Sequence, residues 1–494
     1  MSNIRVTYSG LIAFLISTAS VFTGIFFTVI VTRSLTPDEF GTWSLIGGLI
    51  TYVIIIEPII SMWTTREQSR GIQSGATSVL SSGVFSVVGI GMYLIIAFIV
   101  GNQIGLDLTP LYLAALLIPT IFLTKTLNAV NWGIKPHSIS IGLMGFELTK
   151  IPVALVLVYF LDFGLSGAII STVLAYVVNI IILLRYAKDN IRGRFKIATL
   201  KKWLKLSWLP MYPGLGNILL SLDVAFYSLI TGSVIGLAYY AAGNAIANVV
   251  GQSGNISKAL YPKLLSGGKI QFIEENIPLT FYFALPLVGF SMIFAKQGLF
   301  ILNPLYDFAV PIVIILSVRV FLDVIAAIYS SVLSGLEKVD LDEKSTFLDY
   351  VKSKLFVLPT LRLIQFGSYS GILAFVIFFN QSKSELELVT YMAIIALFAQ
   401  IFYTAILGIM VKKNISLKVN YNLILKYSII CIGIFGFTYF LMEEYLIYEE
   451  SIFKFIPNLV PFIILAITGY IGITYVSDKR TREFVKTVLQ EIKK

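Results

Sequence analysis

The chain has 494 residues, 57% of them hydrophobic and only 13% charged, with a formal net charge of +10 and a mean hydropathy of +0.86. Soluble globular proteins carry about 25% charged residues, so a water-soluble multidomain protein is excluded and an all-α integral membrane protein is expected. A single cysteine, Cys431, and a single histidine, His137, leave no partner for a disulfide and too few ligands for a Cys/His zinc centre. No metal or cofactor is expected, and any chemistry falls to carboxylates and cations. Cys431 reads as a small buried hydrophobe and His137 as an interfacial residue.

Arg5 precedes an apolar run over 10–31, about twice the length of a signal-peptide core and without a small-residue cleavage site, so it reads as a retained first span. Fourteen spans are predicted. The first six fall at 9–32, 42–63, 79–100, 111–131, 138–160 and 166–184. The rest fall at 207–230, 237–257, 277–295, 309–333, 364–380, 388–411, 427–442 and 457–476. Thr36-Pro37-Asp38-Glu39 combines a capping Thr, Pro in the first turn and Glu three residues after the cap. Thr109-Pro110 and Asn303-Pro304 repeat the cap-then-proline pattern.

With the N-terminus placed in the cytoplasm and Lys125 counted at the inner end of its span, the inner segments hold 31 of the 37 Lys and Arg residues. The outer segments hold Arg33, Lys296, Lys383 and Lys454, while Lys150 and Arg319 lie within spans. A miscounted span would invert every later loop, so the sustained bias predicts an even number of spans with both termini inside, in the plasma membrane. The densest stretch, 185–205, carries eight cations and one acid. It reads as a cytoplasmic loop facing anionic lipid, with Trp203 and Trp208 near the interface, and implies no nucleic-acid partner. Outer loops are short; Glu443, Glu444, Glu449 and Glu450 crowd the last of them. The charged connection 334–363 is expected to contain a short surface helix.

The basic loop divides the chain into a six-helix bundle over 1–184, a linker over 185–206 and a second six-helix bundle over 207–411. Two further spans at 427–476 and an amphipathic cytoplasmic tail at 477–494 complete it. Six is even, so both halves enter the membrane in the same sense, which permits a parallel repeat about the membrane normal.

An ionisable side chain at the bilayer centre costs about 2.5–3.5 kcal/mol on insertion scales, so each needs a reason. The candidates are Glu57, Lys125, Glu147, Lys150, Asp223, Arg319 and Asp323. Glu147/Lys150 and Arg319/Asp323 have helical spacing and share a face; they read either as neutralised pairs holding helices together or as the lining of a polar cavity. In the second reading the cations hold an anionic head group and the carboxylates carry protons or sodium. Asp223 has no partner at helical spacing, and Glu57 precedes Pro58, where a bend is expected. Pro119, Pro152, Pro210, Pro213 and Pro286 supply further kinks, and the small residues of 239–255 permit close helix approach.

The segment VTRSLTPDEFGTWSLIGGL (31–49) resembles the "aR-Lgp-eyG" signature that follows the first span of polysaccharide and lipid-linked oligosaccharide flippases. These belong to the multidrug/oligosaccharidyl-lipid/polysaccharide (MOP) exporter superfamily. Arg33, Leu35, Pro37, Glu39, Phe40 and Gly41 carry the match. LSLDVAFYSLITGSVIGLAYYAAGNAI (220–246) is similar to the family's seventh and eighth spans through Asp223, Gly232, Gly236, Tyr239 or Tyr240, and Ala242; ALYPKL (259–264) continues it. The resemblance implies two six-helix bundles in a V around a cationic central cavity. It further implies a flippase that turns a polyprenyl-diphosphate-linked oligosaccharide to the outer leaflet by alternating access, in many members coupled to ion counterflow. On this reading the chain is not an enzyme. Lys125, Lys150, Arg319 and Arg33 are the candidate substrate-binding cations. Glu57, Glu147, Asp223 and Asp323 are the candidate coupling or cavity carboxylates. The partners implied are the lipid-linked substrate, the bilayer, and the glycosyltransferases or polymerase of the same pathway. Two other functions fit the composition: a multidrug/cation antiporter of the same superfamily, and a membrane glycosyltransferase or polymerase, whose catalytic acids would have to come from the glutamates at 443–450.

Overall fold

The computed structural model describes residues 23–132, 135, 137–259, 264, 270–337, 339, 347–449, 451–479 and 481–482. Among these residues every regular element is helical. Arg5 and the start of the first span, most of the 259–264 motif, part of the charged connection at 340–346 and the tail from 483 onward lie outside them.

Helix α1 is Thr23–Ser34; α2, Pro37–Ile54, and α3, Pro58–Ser69, form one span bent by 60°. There follow α4 (Gly75–Ile104), α5 (Leu108–Trp132), α6 (His137–Phe160), α7 (Gly164–Ile191), the short α8 (Ile197–Lys205) and α9 (Trp208–Thr231). Helix α10 (Ile235–Ala247) runs into a 3-10 segment, Val250–Ala259. After it come α11 (Gln271–Ile293), α12 (Ala295–Leu302), α13 (Pro304–Gly335), α14 (Phe347–Lys352), α15 (Lys354–Phe379), α16 (Glu385–Asn414), α17 (Tyr421–Tyr445) and α18 (Ile452–Ser477).

Eleven of these are long and apolar enough to cross a membrane, twelve with the bent pair counted as one, among the described residues. Of the two other predicted spans, the described part of the first lies in the shorter α1, and the eighth coincides with α10 plus its 3-10 extension. At 1.5 Å per residue, a helix of 24 residues such as α9 spans about 36 Å, enough for the hydrocarbon core. Large apolar side chains stay outside the packing, among them Phe375 and Phe379 on α15 and Phe440 on α17. Water would not tolerate so wide an apolar exterior, and lipid requires it. The chain is a multi-pass membrane protein.

Boundaries differ where polarity misled the span count. Helix α15 begins at Lys354, ten residues before the expected 364, and α17 covers Tyr421–Tyr445 rather than 427–442. Charged residues near the start of a helix can be satisfied without breaking it; Arg362, for instance, donates to Gln365 on the next turn at 2.9 Å. Caps follow local chemistry. Thr36 and Glu39 close the expected capping box, and Asn303 accepts from the Leu305 N–H at 3.0 Å. At α5 the expected Thr109 cap is replaced by Asp107, whose carboxylate accepts from the Thr109 N–H at 2.9 Å, since a carboxylate two residues before the bonded N–H reaches it more readily than a hydroxyl inside the first turn.

Packing divides the chain into two units. The first comprises Met1–Ala241 with Arg362–Met392, and the second Ala242–Leu361 with Ala393–Lys494. In the first unit α5 and α7 bury Leu127, Val130, Ile180 and Leu183, and the Asn131 amide ties them by donating to the Leu183 carbonyl at 3.1 Å. In the second unit α11, α17 and α18 meet around Tyr282, Tyr427, Phe435 and Tyr470, with the Tyr470 hydroxyl donating to the Tyr282 carbonyl at 2.9 Å. Cys431 lies in this cluster as a buried apolar side chain, as expected.

Candidate functional site

The bend between α2 and α3 builds the most distinctive polar feature. Pro58 has no N–H to donate back to Ile54, and the Glu57 N–H takes that carbonyl instead, at 2.9 Å. The chain turns, and the Glu57 carbonyl then restarts the helix by accepting from Ile60 at 2.9 Å and Ser61 at 3.3 Å. Glu57 is thereby fixed at the corner, 2% exposed. Its Oε2 lies 3.7 Å from Nζ of Lys125 on α5, and its buried Oε1 meets no donor at bonding geometry among the described residues.

Around this pair runs an open groove of about 390 Å³. One wall is Glu57, Ser61, Met62 and Thr65 from the corner and α3; the other is Lys125, Asn128, Ala129 and Trp132 from α5. Each set has helical spacing, so each wall is a single helix face. The Lys125 side chain is 47% exposed. It sits seven residues, about 10 Å, from the end of α5, where exposed Trp132 forms the rim. The groove therefore offers a half-exposed ammonium, a buried carboxylate, an amide, two hydroxyls and an aromatic face. That set can hold an anion together with polar hydroxylated groups.

The second acid–base pair is built differently. Lys150 Nζ lies 3.1 Å from Glu147 Oε2, as helical spacing predicted, with side chains 11% and 10% exposed. Its ammonium also lies over the rings of Phe27 and Phe146, each 4.8 Å from the centroid, and cation–π attraction strengthens as water is removed. Asp223 is buried on α9; its Oδ2 accepts from the Tyr369 hydroxyl at 2.9 Å and its Oδ1 from the Val224 N–H at 2.7 Å. Arg33 on α1, and Arg319 and Asp323 on α13, are half-buried and each engaged within the molecule. The last two belong to the second unit and the others to the first.

The sequence motifs acquire physical reasons. Glu39 caps α2 and also accepts from the Leu165 N–H of α7 at 3.2 Å. A Cβ on Gly41 would strike the Val234 carbonyl, so only glycine admits that approach. Gly236 is likewise pressed against the Tyr227 hydroxyl, and both Tyr227 and the Gly236 N–H donate to the Glu385 carboxylate. Glu385, Tyr369, Asn128 and Trp132 were not legible as functional or structural partners in sequence, since they meet their partners only across distant segments. Trp203, read from the sequence as lying near the interface, is fully buried within the protein, its indole N–H donating to Glu67 at 3.2 Å. The buried face of α8 turns it onto α3, where the carboxylate satisfies the indole.

No protein-family model matches the chain, and no curated protein sequence matches it. Solved structures do. An inward-facing multidrug resistance MATE family transporter of the MOP superfamily aligns with TM-score 0.59 at 13% identity, over 80% of this chain and 95% of that one. The lipid II flippase MurJ, in an inward closed conformation, aligns with TM-score 0.64 at 12% identity, over 94% and 99%. A MATE protein in complex with MaD3S aligns with TM-score 0.53 at 15% identity, over 83% and 95%. The chain has the fold of the MOP superfamily transporters.

Proposed function

We propose that this protein is a flippase that moves a polyprenyl-diphosphate-linked oligosaccharide from the cytoplasmic to the outer leaflet by alternating access. The observation that carries the reading is the groove in which Lys125, half-exposed, stands beside the buried Glu57. A diphosphate needs a cation it can reach, and sugars need amides, hydroxyls and an aromatic face; the groove has all of these. Lys125 contacts the diphosphate, with Arg33, Lys150 and Arg319 as further candidate cations along the route. Glu57 is the preferred carboxylate for a coupling ion, because it faces the groove at the corner with a buried Oε1 that meets no donor among the described residues; Glu147, Asp223 and Asp323 are the other candidates. The two six-helix halves, the two added spans and cytoplasmic termini belong to the same proposal, as do neighbouring pathway enzymes as partners.

The similarity to a lipid II flippase supports the substrate class, and the similarity to multidrug transporters keeps a drug/cation antiporter as the second reading. Reconstitution into proteoliposomes with a fluorescent lipid-linked oligosaccharide separates them. Flipping that needs Lys125, with no protection of cells against cationic drugs, supports the flippase. Drug export with no glycolipid movement refutes it, and an altered glycan product would reveal an enzyme instead.

A further inference from the structure

The end of α7 and the connection from it to α9 hold a surface that the transport reading does not use. Arg185, Lys188, Arg192, Arg194, Lys196, Lys201, Lys202 and Lys205 are all exposed, with Asp189 the one acid among them. Within it, α8 has two faces. Leu200 and Trp203 turn inward, into a cluster with Ile59 and Ile60 of α3. Ile197, Lys201, Leu204 and Lys205, spaced i, i+4, i+7 and i+8, turn outward and are exposed. Phe195 and Trp208 flank them, exposed as well. Alternating exposed apolar and cationic side chains on one helix face suit the headgroup–acyl boundary, where the apolar groups enter and the lysine stems keep their ammonium groups at the phosphates. A soluble anion would leave Ile197, Leu204 and Trp208 in water; a lipid surface covers them.

We infer that α8 is a docking surface for anionic phospholipid headgroups, and that a bound leaflet holds α3 in place through Trp203. The mechanical link is on the inner face. The Trp203 indole donates to Glu67 of α3 at 3.2 Å, and the Lys196 N–H donates to Thr77 of α4 at 3.0 Å. The apolar cluster beneath extends to Ile56, beside the Glu57 corner. Lipid that fixes α8 thus fixes the limb carrying Ser61 and Thr65. The proposal does not depend on what the groove transports.

The test uses full-length protein in nanodiscs. Dibrominated phosphatidylglycerol should quench tryptophan emission more than dibrominated phosphatidylcholine, and Trp208→Phe should remove most of the difference. Each of Lys201→Gln, Lys202→Gln and Lys205→Gln should lower the preference about fivefold at low salt, as expected for one basic group near an anionic surface. Phosphatidylglycerol should also slow hydrogen exchange in Pro58–Ser69 of the wild type, and should cease to do so in the triple variant. Equal quenching by the two lipids, an undiminished preference in the triple variant, or exchange in α3 indifferent to lipid would overturn the inference. Equal quenching together with lysine-dependent binding of a short RNA duplex would assign the surface to nucleic acid instead.

Discussion

Two acid–base pairs of the same composition lie in the first packing unit and are built to opposite ends. Glu147 and Lys150 sit on one helix, both nearly buried, with Lys150 set between two aromatic rings. Glu57 and Lys125 sit on different helices, and only the acid is buried while the base stands in a groove. A fully enclosed ammonium already has its attraction satisfied by neighbours. A half-exposed one keeps a side open to a ligand's oxygens. Burial and aromatic enclosure, rather than the presence of charge in a span, separate a structural pair from a candidate binding pair.

The sharpest way to break this comparison is Lys150→Met. It removes the salt-bridge partner of a buried carboxylate and should destabilise the protein by about 3–5 kcal/mol, read as a lower melting midpoint in detergent and less protein in the membrane. Adding Glu147→Gln should restore most of the loss, because the stranded charge is gone. If Lys150→Met abolished transport at unchanged stability, Lys150 would join Lys125 as a binding residue.

Lys125→Gln should act on transport instead. On the proposed function, losing one charge-assisted contact worth about 1.5–3 kcal/mol lowers the flipping rate by roughly tenfold or more, with a smaller change in melting than Lys150→Met. Rate and melting falling together would place Lys125 with the structural pair.

A third measurement extends the contrast to Asp223, which lies in a span yet accepts a hydroxyl and an N–H. Tyr369→Phe should cost about 1.5 kcal/mol of stability and leave transport by the surviving protein unchanged. The smallest effect is expected from Phe146→Leu, about 0.5–1 kcal/mol through the lost ring beneath Lys150. A transport defect without destabilisation would show that the ring contacts substrate.

The acid–base pair at i, i+3 was legible in sequence because helix geometry alone brings those positions together. The corner at Glu57-Pro58 was legible for the same local reason, and so was the capping box at Thr36 and Glu39. Lys125 could be marked as a charge needing a reason, but nothing in the order of residues told that Glu57 supplies it. Nor did composition tell that Trp203, read as an interfacial aromatic, is buried against a residue 136 positions away, to which its indole N–H donates.

The sequence by itself determined that the chain crosses a membrane many times, and the centres of the spans rather than their ends. In lipid each span must satisfy its own backbone hydrogen bonds, so a helix and its apolar length are written in consecutive residues. Capping and kinking are equally local. Only the tertiary structure decided which polar groups meet: Tyr227 with Glu385, 158 positions apart, and Tyr369 with Asp223, 146 apart. Lipid supplies no hydrophobic force between helices, so association rests on packing and on such polar contacts. These depend on three-dimensional neighbours that no periodicity along the chain encodes.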